Sequence, residues 1–157
     1  AILVPFLVFA IGVSHGVQQV NYISRSVCGG LSGQDAARSS FRGLLVQEDG
    51  PNLWLARATP RVWLEPGRKI SVKNAPTHFG SVDYEIVSDA DHGKITATVK
   101  MPSRNSAKEV WLRLRHPKSA PIKSVAVNGK AWRDFDRSKE VVKLHHQKDN
   151  VTVEIKY

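Results

Sequence analysis

From Ile70 to Ile155 apolar residues recur at every second position, and this period limits the chain to one kind of architecture. Ile70 and Val72 alternate with Ser71 and Lys73. Val82, Tyr84 and Ile86 alternate with Asp83 and Glu85, and Ile95, Ala97, Val99 and Met101 with Lys94, Thr96, Thr98 and Lys100. Val110, Leu112 and Leu114 are spaced by Trp111 and Arg113; Val125 and Val127, Val141 or Val142 with Leu144, and Val151, Val153 and Ile155 come after them. In a strand, successive side chains point to opposite faces, so each run has one core face and one wet face. Turn signals part the runs at Pro66-Gly67, Asp91-His92-Gly93, His116-Pro117, Asn128-Gly129 and Asp149-Asn150. Asn and Gly tolerate the positive φ of a tight hairpin turn, so Val125–Val127 is expected to pair with Lys130–Trp132. No run is apolar on both faces, which disfavours a buried parallel sheet. The pattern predicts an antiparallel β-sandwich of roughly eight strands.

The first forty-six residues follow different rules. Ala1 to Val13 carry no charged or polar side chain, and the run breaks at Ser14-His15-Gly16. Ile11, Val13, Val17 and Val20 then recur at helical spacing, so Ile2–Ile23 reads as a strongly apolar helix. Thirteen apolar residues fall short of the about 20 that span a bilayer. A secretory signal would add a basic start and a small-residue cleavage site, and neither is present. Gly29-Gly30 interrupts the chain. Ser32 can cap a second helix over about 33–45, with Asp35 in its first turn, where a negative charge suits the helix dipole. Glu48-Asp49-Gly50-Pro51-Asn52 is a turn cluster, so two domains are expected: 1–46, an apolar helix and a short second helix, and 47–157, the sandwich.

Charge says less. The chain carries a net +9, and residues 47–157 hold twenty Lys and Arg against thirteen Asp and Glu, a net +7. The cations are interleaved with acids, as on a solvated sheet face, so a specific nucleic-acid partner is not expected. A lone cysteine, Cys28, excludes an internal disulfide and says little about compartment.

Two resemblances attach to different halves. Leu3 to Gln18, with Asp35-Ala36-Ala37-Arg38 and Phe41-Arg42, resembles one transmembrane segment of RND-type exporters. The acidic residue that many such helices use for proton relay has no counterpart before Asp35, and His15 is the nearby titratable group. Residues from about 47 to 157 resemble the C-terminal β-sandwich of bacterial glycoside hydrolases built on an (α/α)6 toroid. Leu53 to Arg61, the Val125-Ala126-Val127-Asn128-Gly129-Lys130-Ala131-Trp132 hairpin and the closing Val151 to Ile155 carry that likeness. It implies a noncatalytic accessory module, because in that family the catalytic carboxylates lie in the toroid. The two likenesses together suggest a fusion or fragment joined near residues 41–49. The alternatives are a fragment of a transporter, or a membrane-tethered binding module touching the bilayer through residues 1–23. A membrane-associated or extracytoplasmic location is implied if that head is functional.

The residues that could carry chemistry mostly have plainer explanations. Asp83/Glu85, Asp89/Asp91 and Asp134/Asp136 have the i, i+2 spacing that could set two carboxyls about 5–9.5 Å apart, as glycoside hydrolysis needs. Alternation places polar residues outward anyway, so no catalytic residue is assigned. Asp89-Ala90-Asp91-His92 resembles a loop calcium site without its full oxygen set. The histidines lack zinc spacing, so no metal or cofactor is expected. Among four tryptophans, Trp54 and Trp132 read as core. Trp111 sits out of phase with its apolar neighbours, on the face of Arg113 and Arg115. These three are the candidate surface for a glycan or a partner such as a catalytic toroid.

Overall fold

A computed structural model of the protein describes residues 30, 32, 34, 42–102, 107–145 and 150–157. The apolar helix expected over Ile2–Ile23, its membrane contact, the exporter-like segment and Cys28 lie outside the described residues. Gln34 and residues 42–45 are helical where the second helix was expected. Among the described residues no helix is long and apolar enough to cross a membrane. The chain divides into two compact units, Ala1–Gly43 and Leu44–Tyr157, and the second holds every described strand.

Eleven strands occur among the described residues: β1 Val46–Asp49, β2 Asn52–Leu55, β3 Lys69–Thr77, β4 Gly80–Asp89, β5 Lys94–Lys100, β6 Glu109–Arg113, β7 Ser124–Val127, β8 Lys130–Trp132, β9 Phe135–Asp136, β10 Val141–Leu144 and β11 Asn150–Lys156. They form a five-stranded sheet ordered β1-β2-β6-β10-β9 and a six-stranded sheet ordered β3-β4-β5-β11-β7-β8. The inward residues of both sheets make one core. Leu53, Leu55, Val110, Leu112, Val142 and Leu144 come from the first sheet, and Val82, Ile86, Ile95, Val99, Val153 and Ile155 from the second. Leu53 and Leu55 aside, these are residues that the period of two picks out, and the chain is mainly β as expected. Leu112 and Ile155 are fully buried, so truncating either to Ala should cost about 2–5 kcal/mol.

The hairpin expectation is met. Val125 pairs with Trp132, Ala126 with Ala131 and Val127 with Lys130, with positive φ at Asn128 (49°) and Gly129 (76°). This is the turn whose twist matches the flanking strands. A bulge in edge strand β3 shifts the register between Val72 and Ala75. Asn74 takes φ 51° there, and the amide it frees from the ladder donates to the Asp83 carboxylate.

Two features depart from the sequence reading. The turn cluster at 48–52 is mostly strand: Glu48 and Asp49 end β1 and Asn52 begins β2, leaving Gly50 and Pro51 as the turn. In addition, β2 runs parallel to β6, with Trp54 opposite Trp111, inside an otherwise antiparallel sheet. Leu53, Trp54 and Leu55 are all buried, so this strand is apolar on both faces. Parallel pairing needs a long crossover, and here the chain builds β3, β4 and β5 of the other sheet before returning as β6.

Candidate functional site

The outer face of the five-stranded sheet gathers the chain's least conventional side chains. Leu53 and Leu55 point into the core, so Asn52 and Trp54 of β2 point out. On β6 the outward residues are Glu109, Trp111 and Arg113, and on β10 they are Val141 and Lys143, since Val110, Leu112, Val142 and Leu144 are the core members. Register then sets Gln47, Trp54, Trp111 and Lys143 side by side across four strands.

The two indoles meet edge to face, centroids 4.4 Å apart and planes at 85°, an arrangement the aromatic quadrupole favours. A cation lies over each ring: the Arg57 guanidinium carbon is 4.6 Å from the Trp54 centroid, and Lys143 Nζ is 5.6 Å from that of Trp111. Trp54 is only 9% exposed, but it stands outside the main core cluster. It is buried, as the sequence reading expects, and on this outer face it packs against Trp111. Trp132 is partly buried against the core and donates its indole N–H to the Lys143 carbonyl at 2.9 Å.

Beside the indoles lies a polar string. The Trp111 indole N–H donates to Glu109. Glu109 Oε1 is 3.7 Å from His145 Nδ1, and His145 Nε2 is hydrogen-bonded to Asp134. The carboxylates approach opposite ring nitrogens, so they do not converge on a point that an ion could occupy. Among the described residues no group of three or more His, Cys, Asp or Glu could hold a metal. Trp54 Nε1 and Asn52 Oδ1 are buried with no hydrogen-bond partner. An unmet buried polar atom costs about 1–3 kcal/mol, and this face carries two of them on one strand.

Arg113 and Arg115 extend the face toward the end of the sandwich. Arg113 donates from Nε to the Lys139 carbonyl and from Nη1 to the Arg57 carbonyl, both at 3.1 Å. Arg115 donates from Nη2 to the Thr59 carbonyl. Behind them Arg61 grips Glu140 with two bonds of 2.8 and 2.7 Å and the His116 carbonyl at 2.7 Å. Glu140 is buried and has φ 57°, a left-handed conformation that this fork holds in place. His116 is buried: its Nε2 donates to the Ala90 carbonyl at 3.2 Å, and its Nδ1 accepts the Lys118 amide at 3.2 Å. Burial, then the neighbouring Arg113 and Arg61, draw the Arg115 guanidinium below its ordinary range, while Glu140 opposes them.

The paired acids are separately engaged. Glu85 pairs with Lys69 at 2.8 Å and Asp83 with Lys100 at 3.8 Å. Asp89 binds His92 at 2.6 Å, which raises the imidazole above its usual range. Asp136 accepts from Ser138 Oγ and from the amides of Ser138 and Lys139, which hold its carboxyl below the usual range. Of the three sequence-assigned surface residues, the structure brings Trp111 and Arg113 together on β6, with Arg115 just beyond its end. Sequence reading missed Trp54 as Trp111's partner, as well as Lys143, Glu109 and His145. Trp54, Lys143 and Glu109 lie on strands whose neighbours only the long-range register reveals, and His145 directly follows β10.

No family profile matches the chain, and no curated protein matches it. Solved structures do. One is a cycloalternan-forming enzyme from Listeria monocytogenes in complex with a pentasaccharide substrate, at TM-score 0.46 and 10% identity over 67% of this chain and 10% of that one. A second is an uncharacterised protein from Listeria monocytogenes EGD-e in complex with glucose, magnesium and calcium, at TM-score 0.44 and 10% identity over 67% and 10%. A third is a glycoside hydrolase, at TM-score 0.47 and 12% identity over 78% and 19%. The chain thus spans from 10% to 19% of the length of these proteins.

Proposed function

We propose that residues 44–157 form a noncatalytic accessory module of a carbohydrate-active enzyme, docking on a larger protein body through the outer face of the five-stranded sheet. The observation that carries this reading is the edge-to-face pair of Trp54 and Trp111 on the side of the sheet away from the core. Trp and Arg dominate the energetic centres of protein interfaces. A sugar-stacking site would need a bare aromatic face, whereas Arg57 and Lys143 cover a face of each indole. The unpartnered Trp54 Nε1 and Asn52 Oδ1 suit a partner that offers both an acceptor and a donor. The residue-level likeness of the 53–61, 125–132 and 151–155 segments to toroid-borne sandwiches gives the class of enzyme. Those segments form β2 and its exit, the β7–β8 hairpin and β11.

Two measurements test the reading. The chain is incubated with a broad panel of glycosides and polysaccharides. No turnover is expected, and robust hydrolysis by this chain alone would overturn the accessory role. Second, a helical glycoside-hydrolase body from the same genome is expressed without its own sandwich and titrated with the chain. Trp111→Ala should weaken that association more than tenfold while leaving the sandwich folded, as a hot-spot tryptophan does. Unchanged affinity would remove the face from the interface.

A further inference from the structure

The charges at the end of this face do not balance, and the imbalance specifies what should sit there. Three guanidiniums, Arg61, Arg113 and Arg115, share one carboxylate, Glu140. Arg61 takes both of its oxygens. Among the described residues Arg113 and Arg115 hold backbone carbonyls alone: those of Lys139 and Arg57 for Arg113, and that of Thr59 for Arg115. Among the described residues Arg113 Nη2 and the Nε and Nη1 of Arg115 have no acceptor. Both side chains are half-buried, so water compensates them only in part, and a carbonyl dipole does not cancel a full charge.

A second observation points to the same place. Thr59, whose carbonyl Arg115 holds, is 1% exposed, and its Oγ1 has no hydrogen-bond partner. A fully buried hydroxyl without an acceptor therefore sits on the residue that anchors the guanidinium. The unspent arginine N–H groups can only donate and the hydroxyl can donate as well as accept, so the free hydrogen-bonding capacity of this corner is weighted toward donors, which suits an anion. The fork of a guanidinium matches the two oxygens of a carboxylate in one plane.

We infer that the Arg113–Arg115 corner, with Thr59, is a carboxylate-binding site filled by an acidic side chain of the docked protein body. This rests on the docking reading above and adds the chemistry of the contact. Trp111 lies two positions from Arg113 on the same face of β6, so the aromatic centre and the anion site form one continuous surface. The aromatic pair supplies apolar burial, and the corner supplies charge and register, the division of labour between interface core and charged contacts.

Acetate is the probe. The chain is titrated with sodium acetate against sodium chloride at equal ionic strength, reading the side-chain Nε–Hε resonances of Arg113 and Arg115 by NMR together with the melting temperature. Acetate should shift the Arg115 signal saturably and raise the melting temperature above the chloride control. Arg115→Gln should abolish both effects. Arg115→Lys, which keeps charge but loses the fork, should weaken them at least severalfold. Lys94→Gln, on the other sheet, should change neither. Where Arg115→Gln fails to fold, Arg113→Gln supplies the same readout. Identical responses to acetate and chloride, or a response that survives in the folded arginine variants, would overturn the site. A parallel arm compares N-acetyl-glutamate amide with glucuronate. The blocked glutamate should bind at least as well, and glucuronate binding tenfold tighter would overturn the protein source in favour of an acidic sugar. Indifference to every carboxylate removes this inference alone, because the effect of Trp111→Ala on docking is measured separately.

Discussion

Tyr84 and Tyr157 are buried phenols whose hydroxyls donate to main-chain carbonyls, Tyr84 to Leu45 at 3.0 Å and Tyr157 to Leu114 at 2.9 Å. Burial pushes both well above the ordinary tyrosine range; nearby Glu140 adds to the effect at Tyr157, and Arg61 opposes it. The phenolate is the charged form, so the native state keeps its protons where the unfolded chain releases them. The stability carried by these groups is complete below about pH 10 and falls as pH rises beyond it. In a Tyr22→Phe background, phenolate absorbance should therefore appear only as the circular dichroism signal of the fold is lost. Phenolate formation near pH 10 with the fold intact would refute the burial argument. At this same scale the sequence was informative about Trp111, Arg113 and Arg115, because their phase relative to Val110, Leu112 and Leu114 is visible in the chain. It gave the burial of Trp54 but not its face or its partner, because a four-residue strand buried on both faces has no phase to read.

Turns and strands separate in the same way. Alternation marks β3 to β7, β10 and β11, and the Asn-Gly pair marks β8. β1 has one apolar residue, Val46, β2 has three in a row, Leu53 to Leu55, and β9 has two residues, so none of them shows alternation; β2 takes its place from β6, which lies far along the chain. Two glycines test how a turn constrains its sequence. Gly129 has φ 76° and nothing within 4 Å of an added Cβ, whereas at Gly93, φ 65°, an added Cβ would lie 3.0 Å from the Tyr157 carbonyl oxygen. Gly129→Ala should cost about 1 kcal/mol from the left-handed backbone alone. Gly93→Ala should cost clearly more, because backbone must also shift, and the Tyr157 amide that donates to Gly93 at 2.8 Å moves with it. Urea denaturation measures both, and equal losses would show that the crowding at Gly93 is immaterial.

As a whole, residues 44–157 share one core built from both sheets. Expressed alone, this segment should give a strand-rich spectrum and one cooperative unfolding transition. Leu112→Ala and Ile155→Ala, on opposite sheets, should each lower that same transition by about 2–5 kcal/mol. Two transitions, each sensitive to one variant, would mean two cores. The parallel seam between β2 and β6 also sets an order of events during synthesis. Asn52 to Leu55 leave the ribosome early, but their partners Glu109 to Leu112 emerge only after β3, β4 and β5 have been made. Until then Trp54 has no neighbour on its later-made side, and the growing chain carries an unfinished edge beside the hairpin of β1 and β2. The six-stranded sheet, begun in the interval, is the surface on which that early hairpin can wait.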